Sequence, residues 1–212
     1  MPKVAYSKEE RENIRSQLIS IGLDLMARQG IQHTTVEQVY KSVGISRTFF
    51  YSFFSTKEDF IVEILYFQQP KIIQYVHELM KDTSLDWKSA VRKFLYSCCY
   101  GERNGIAILT IEEQQLLFKR LSSESYTTFR EKQRLLFKEI LEEFGIQSEK
   151  TNINLFINLS LALMVVRKAI PAQLPLFIPE AADETANFQI EALVNTLEKL
   201  KDKYPIDINK NK

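Results

Sequence analysis

The chain has 212 residues, with 28 Lys and Arg against 27 Asp and Glu, so its formal net charge is only +1. This balance argues against a polycation that binds nucleic acid through bulk charge. Hydrophobic residues at 45% and charged residues at 26% are typical of a globular protein rather than a disordered one. Only six glycines and six prolines occur, which favours long helices over many turns. We therefore predict an all-α protein.

The N-terminal segment has no apolar region of the kind found in signal peptides, and the most apolar stretch, 155–166, is shorter than the about 20 residues that span a bilayer. The only cysteines are the neighbours Cys98 and Cys99, which as a pair rarely form a relaxed disulfide. We expect a cytoplasmic protein with no membrane partner. A redox role for the pair would need a lowered thiol pKa, for which Arg103 is the nearby cation.

The first predicted helix runs from Ser7 to Gln29, because its apolar residues recur at spacings of four and three. Ser7 and Glu10 fit a capping box at its start, and Gly30 fits a C-terminal stop.

Two short helices are predicted next, over 36–43 and 47–54, on either side of the turn Gly44-Ile45-Ser46. The hydroxyls of Thr35 and Ser46 stand where each helix needs a cap. From spacing alone, this pattern fits either a helix-turn-helix, whose second helix enters the major groove of DNA, or a helical hairpin in a larger bundle.

The remaining elements are also read as helices. One begins after Thr56 and runs to about Lys81, and Pro70 should kink or split it near 66–69. Asp86 is predicted to cap a helix that reaches Arg103.

Residues 106–111 fit a strand as well as a buried helix. We favour helix, because they run into the helical composition of 112–119. Two more helices are predicted over 125–144 and 152–169, then a proline-containing loop over 170–182. Asp183 should cap a last helix that ends near Lys203.

The region of the two short helices closely resembles the TetR family of bacterial transcriptional repressors. The resemblance covers about residues 8–67 and rests on the pattern Gly30-x3-Thr34-Thr35-Val36-x2-Val39-x4-Gly44-Ile45-Ser46-x3-Phe50-Tyr51-x2-Phe54-x-Thr56-Lys57-Glu58-Asp59-Phe60. It implies an N-terminal three-helix DNA-binding domain, here residues 1–67 with the helix-turn-helix at about 34–54. It further implies a helical ligand-binding and dimerisation domain, here 68–204, which leaves 205–212 as a flexible tail.

The resemblance also implies the DNA contacts. Hydroxyls, amides and a lysine are expected to contact phosphates. Exposed side chains of the second short helix are expected to contact base edges. The residues expected at this interface are Thr34, Thr35, Ser46, Arg47, Thr48, Tyr51, Ser52 and Lys57.

The sequence departs from the family pattern at Tyr40, Val43, Phe49 and Phe53, which are larger or less polar than the usual residues. Phe49 either contacts a thymine methyl group or packs on the first helix. The DNA sequence preference therefore stays open.

The second half is expected to hold the dimer interface and a pocket for a small, mostly apolar ligand, because aromatic groups with polar handles suit such a ligand. Each of these residues is also compatible with an ordinary core role. The residues expected in the pocket are Tyr66, Gln69, Trp87, Tyr96, Tyr100 and Phe118, and those expected at the interface are Leu155, Leu159, Leu163, Leu193 and Leu197.

Catalytic and metal sites have weak support. His33 and His77 lack the spacing of a zinc site, so we expect no metal and no cofactor. An all-α enzyme using Glu112 with His77 is a third alternative. Glu112 and Glu113 are read as part of a solvated face, with a cationic ligand as the other possibility.

The sequence therefore predicts a homodimeric, ligand-responsive repressor that binds a near-palindromic operator in double-stranded DNA. The alternative is a nucleoid-associated or division-regulating protein that has the same fold and no inducer.

Overall fold

The structure is a computed structural model, and it describes residues 6–100, 107, 109, 111–169 and 178–204. The chain divides into two compact units. Unit 1 comprises residues 1–69 and 105–125, and unit 2 comprises residues 70–104 and 126–212. The sequence placed the first boundary at 67, close to this division, but it assigned 105–125 to the second domain.

The elements within the described ranges are helical, which confirms the predicted fold class. The α-helices are α1 (Lys8–Gln29), α2 (Val36–Val43), α3 (Arg47–Phe50), α4 (Lys57–Phe67), α5 (Gln69–Lys81), α6 (Trp87–Tyr100), α7 (Ile111–Arg120), α8 (Ser123–Glu143), α9 (Ile153–Ala169) and α10 (Ala182–Lys203). Short 3₁₀ turns lie at Ser148–Lys150 and Pro179–Ala181.

The helix caps of unit 1 follow the sequence closely. Ser7 and Glu10 form the predicted capping box of α1, and Thr35 and Thr56 form boxes with Gln38 and Asp59 at α2 and α4. These side chains satisfy amides that each first turn leaves without a partner.

Unit 1 is held together by aromatic rings packed between α1, α3 and α4. Phe50, Phe54 and Phe60 are almost completely buried, and their ring centroids lie 4.9–5.3 Å apart. Gly22 lets α1 approach α4 closely, because a Cβ at this position would lie 2.5 Å from side-chain atoms of Phe60 and Ile64.

Unit 2 has its own core, built from buried side chains of α5, α6, α8, α9 and α10. Val91, Leu141, Val194 and Leu197 are fully buried there. The Trp87 indole donates from Nε1 to the carbonyl oxygen of Phe144 at 2.8 Å and so ties α6 to the end of α8.

The break predicted near residues 66–69 is present: α4 ends at Phe67 and α5 begins at Gln69. Three other predictions were wrong. The second short helix was predicted to reach residue 54, but its α-helical part ends at Phe50 and turns follow over 51–53. Ala107 and Leu109 lie outside any helix, so the helix predicted from 106 begins only at Ile111.

The start of the last helix also differs. Helix α10 follows directly from the 3₁₀ turn, its N-cap position is Ala181, and Asp183 lies in its first turn instead of capping it. Residues 170–177 of the predicted loop 170–182 lie outside the described residues. The same holds for the predicted tail 205–212 and for the end of the helix that was expected to reach Arg103.

Candidate nucleic-acid interface

Helices α2 and α3 meet at a tight turn that presents the second helix on the surface of unit 1. Gly44 adopts a left-handed conformation (φ 76°, ψ 27°), which a residue without a Cβ reaches easily. The amide of Ile45 donates to the carbonyl oxygen of Tyr40 at 3.1 Å, which closes the turn. Ser46 then caps α3, and its hydroxyl accepts from the Phe49 amide at 3.1 Å. This geometry is that of a helix-turn-helix.

Thr34 faces the interior, although the sequence placed it among the DNA contacts. Its side chain is 1% exposed, and its hydroxyl donates to the carbonyl oxygen of Gly30 at 2.8 Å. Its amide donates to the carbonyl oxygen of Ile31 at 3.2 Å. Thr34 therefore stabilises the turn between α1 and α2, and its side chain does not belong to the candidate DNA interface.

Thr35 is exposed at the start of α2, and its polar groups are already used locally. The Thr35 amide donates to Oε1 of Gln38 at 2.8 Å, and its hydroxyl accepts from the Gln38 amide at 3.1 Å. Because the Gln38 side chain is also exposed, a phosphate oxygen can replace it at the Thr35 amide.

The exposed side of the recognition segment, defined as residues 47–53, carries the candidate base-reading groups. Arg47, Thr48, Tyr51 and Ser52 are all exposed. The Arg47 guanidinium lies 5.8 Å from the centroid of the Tyr51 ring, within range of a cation–π interaction. The structure therefore brings four of the expected DNA contacts together on one short stretch.

Lys57 begins α4 and is half-buried. Its Nζ donates to the carbonyl oxygen of Ile31 at 3.4 Å. Burial lowers the pKa of Lys57, and the charges of Glu58 and Glu113 oppose that shift. A partly desolvated ammonium at a helix N-terminus is suited to an anion such as a phosphate.

Phe49 takes the second of the two roles left open by the sequence. Its ring stacks on Tyr6, just before α1, with centroids 4.8 Å apart. The Arg11 guanidinium on α1 lies 5.3 Å from the same ring. Arg11 is separated from Phe49 by 38 residues of sequence, and no local pattern indicated that the two would meet.

Helix α7 packs in unit 1 through polar contacts that the sequence did not indicate. Glu113 is 7% exposed and accepts from the Gln32 amide at 2.9 Å, so it is not part of a solvated face. Arg120 pairs with Glu58, the second residue of α4, at 2.8 Å.

The break between α4 and α5 is attached to the segment that precedes α7. The buried side-chain amide of Gln68 donates to the Ala107 carbonyl at 3.0 Å and accepts from its amide at 2.8 Å. Since a side-chain amide matches both groups of a peptide, this contact fixes Ala107 in place.

An apolar groove of about 250 Å³ lies between α9 and α10 in unit 2. Two of the expected interface leucines, Leu155 and Leu159, are 54% and 46% exposed, and Phe188 beside the groove is 74% exposed. Leu197 is fully buried and belongs to the core of the protomer instead. The groove is lined by Leu159, Ala162, Leu163, Phe188, Gln189, Ala192, Leu193 and Thr196.

The residues expected in a ligand pocket are divided between the two units. Tyr66, Gln69 and Phe118 belong to unit 1, and Trp87, Tyr96 and Tyr100 belong to unit 2. None of the six lines the groove between α9 and α10. Tyr96 and Tyr100 stack on each other with centroids 4.2 Å apart, and the Tyr100 hydroxyl donates to Oδ1 of Asp183 at 3.3 Å.

The groups that the sequence offered for metal, redox or catalytic chemistry lie apart or are shifted away from reactivity in the described residues. No group of three or more His, Cys, Asp or Glu in that part of the chain is placed to hold a metal ion. Burial, reinforced by Cys99, raises the pKa of the Cys98 thiol to about 12, which is the opposite of what a redox sensor needs. His77 pairs with Glu143 at 2.9 Å rather than with Glu112.

Within the described ranges, no helix combines the length and the apolar character that crossing a bilayer requires.

Comparison with known proteins agrees with this geometry. The sequence pattern of the family described as "Bacterial regulatory proteins, tetR family" matches residues 18–64, which include α2, α3 and most of α1 and α4. None of the curated protein sequences matches the chain.

Solved structures share the fold at low sequence identity. The protein SCO7518 of Streptomyces coelicolor A3(2) is 14% identical, with a TM-score of 0.53, 86% of this chain covered and 97% of the other. The reduced form of NemR from E. coli is also 14% identical, with a TM-score of 0.52, 89% of this chain covered and 96% of the other.

Proposed function

Because the chain belongs to the TetR family of bacterial regulatory proteins and is a DNA-binding transcriptional regulator, we propose that it acts in the cytoplasm as a homodimeric repressor. It binds a near-palindromic operator and releases it when a small, mostly apolar ligand binds. The observation that carries this proposal is the exposed recognition segment beside two capped helix N-termini and the half-buried Lys57.

The phosphate contacts come from the edges of the helix-turn-helix. In this proposal the DNA backbone is bound by Thr35 before α2, Tyr51 after α3 and Lys57 at the start of α4, and these contacts fix the register of the protein on the duplex. Arg47, Thr48 and Ser52 are then left to read base edges in the major groove. An arginine with a guanine is the strongest specific pairing of this kind.

Dimerisation is supported by the groove between α9 and α10. Large exposed apolar side chains are expected where another surface covers them. Leu155, Leu159 and Phe188 form such a face beside the groove, with Leu163 and Leu193 buried beneath it. A second copy of the same face is the occupant we propose, because a two-fold axis would then pair two recognition segments with two half-sites.

Ligand response needs a physical link to unit 1, and we propose residues 107–120 for this role. This stretch is joined through the chain to unit 2 at both ends, and it is attached within unit 1 by Gln68, Glu113 and Arg120. A ligand that favours another position of this stretch would shift the population of DNA-binding conformations.

Gln69 is our first candidate for a ligand contact. Its Nε2 is buried and makes no hydrogen bond to the residues that the structure describes. Burying a hydrogen-bond donor without a partner costs free energy. A ligand that accepts a hydrogen bond from this nitrogen would therefore bind more tightly.

The proposal is tested by selecting duplexes from a randomised double-stranded library with the full-length protein. We expect enrichment of one inverted repeat. Tyr51→Phe and Lys57→Ala should weaken binding to every duplex, and Arg47→Ala should reduce the preference for the enriched one. Unchanged affinity in all three variants would contradict these contacts. Binding without any enriched sequence would favour a nucleoid-associated protein instead.

A further inference from the structure

The recognition segment is too short to support itself. Its α-helical part is the four residues Arg47–Phe50, followed by turns to Phe53. Isolated helices of this length are unstable in water, so tertiary contacts must hold the segment in place. Phe50 and Phe54 provide those contacts on the inner side, where both are buried.

A second set of contacts holds the outer side. The Arg11 guanidinium lies 5.3 Å from the Phe49 ring centroid and 4.7 Å from that of Phe53. Phe49 and Phe53 meet edge to face, with centroids 5.0 Å apart, and Tyr6 stacks on Phe49. We call these four residues, Tyr6, Arg11, Phe49 and Phe53, the outer brace.

The outer brace reaches one of the exposed candidates for base contact. Nη2 of Arg11 donates to the Ser52 hydroxyl at 3.4 Å, and that hydroxyl donates to the Phe49 carbonyl at 2.7 Å. Arg11 thus sets the direction of Ser52 as well as the position of the two rings beside it.

We propose that Arg11 is a specificity-determining positioning residue, which holds the recognition segment in its DNA-reading conformation by stacking on Phe49 and Phe53 and donating to Ser52. It acts through these residues and makes no essential phosphate contact of its own. The planar guanidinium is what the role requires, because a lysine ammonium cannot cover two rings and donate along a fixed direction at once. The proposal rests on the DNA-binding function.

The test uses the full-length protein, the duplex that the wild type enriches from a random library, and a shuffled duplex of the same composition. The variant is Arg11→Lys, which keeps the charge. We expect its preference for the enriched duplex over the shuffled one to fall about tenfold, with the salt dependence of binding unchanged. The matched control is Arg28→Lys, the same substitution on the same helix, where the guanidinium pairs with Asp24. The control should behave as wild type.

A second variant checks the route through the rings. Phe53→Leu should lower the preference for the enriched duplex. Because the two side chains act together, the loss of preference in the double variant Arg11→Lys/Phe53→Leu should be smaller than the sum of the two single losses. Thermal unfolding of each variant should stay within about 4 °C of wild type, as expected for half-buried surface positions.

Two results would overturn the proposal. One is an unchanged preference in Arg11→Lys. The other is an Arg11→Gln variant that lowers the salt slope by about one phosphate contact while keeping its preference, since that would make Arg11 a direct backbone contact. If the wild type enriches no duplex, the DNA-binding function itself fails, so the two failures are distinct.

Discussion

Unit 1 and unit 2 differ in what they expose. Unit 1 presents hydroxyls, amides and cations on and beside its recognition segment, whereas unit 2 presents leucines and a phenylalanine beside the groove of α9 and α10. Charged and hydrogen-bonding groups read a hydrated polyanion, and apolar faces are covered by other apolar faces. We therefore expect DNA recognition in unit 1 to be separate from the proposed self-association through unit 2, so substitutions in each unit should affect different measurements.

The near-neutral charge of the whole chain fits this separation. With a net charge of +1, the protein has little bulk attraction for DNA, so its affinity depends on a few placed groups in each protomer. Doubling those groups in a dimer is the simplest way to reach a specific site.

The largest expected effect is on the folding of unit 1. Phe50→Ala removes a fully buried ring between α1, α3 and α4, and it should lower the free energy of unfolding by about 3–5 kcal/mol. Urea denaturation measures this loss. Leu135→Ala is the control in unit 2; because Leu135 is 58% exposed and lies outside the groove, its effect should stay within about 0.5 kcal/mol. Equal losses would show that Phe50 is not a core residue.

The next effect is on self-association. Leu159→Asp places a charge on the exposed face beside the groove and should raise the dimer dissociation constant about a hundredfold, because the carboxylate would be buried without a partner. Sedimentation equilibrium gives the constant. Leu135→Asp is the matched control, since Leu135 is a similarly exposed leucine on α8, outside the groove. Equal dissociation constants for the two variants would place the dimer interface elsewhere.

A smaller effect is expected at the start of α4. Lys57→Ala should weaken binding to specific and shuffled duplexes alike, and should reduce the slope of log affinity against log salt by about one phosphate contact. Titrations at several salt concentrations measure the slope. Lys93→Ala, an exposed lysine of unit 2, should leave it unchanged. A loss of preference without a change in slope would make Lys57 a base-reading residue.

The smallest effect is expected at the cysteines. Because burial raises the pKa of Cys98 to about 12, its thiol stays protonated at pH 8, where an ordinary cysteine is partly ionised. Iodoacetamide should therefore label Cys98 at pH 8 at least about tenfold more slowly in the native protein than in urea. Equal labelling rates would reopen a redox role for the pair.

The features of unit 1 that were predictable from sequence are those that depend on residues close together in the chain. The caps at Ser7, Thr35 and Thr56, the turn at Gly44 and the break near Pro70 all depend on neighbours within a few residues. The orientation of Thr34 was missed because two adjacent threonines look alike in sequence, and only packing turns one of them inward.

Contacts distant in sequence were not predictable in either unit. Arg11 with Phe53, Glu113 with Gln32, and Gln68 with Ala107 join residues about 40 to 80 positions apart, and no periodicity encodes them. Leu159 and Leu197 both belong to apolar stripes in the sequence. Only the packing of α9 on α10 shows that Leu159 is exposed and Leu197 is buried.

We propose that two recognition segments bind one operator with a fixed separation. It is tested most directly by inserting base pairs at the centre of the enriched duplex. Five inserted base pairs turn the half-sites to opposite faces of the helix, because about 10.5 base pairs make one turn. We predict that the affinity of the wild-type protein for this duplex falls to that for a shuffled one. An affinity equal to that for the original duplex would contradict binding by a dimer with a fixed separation.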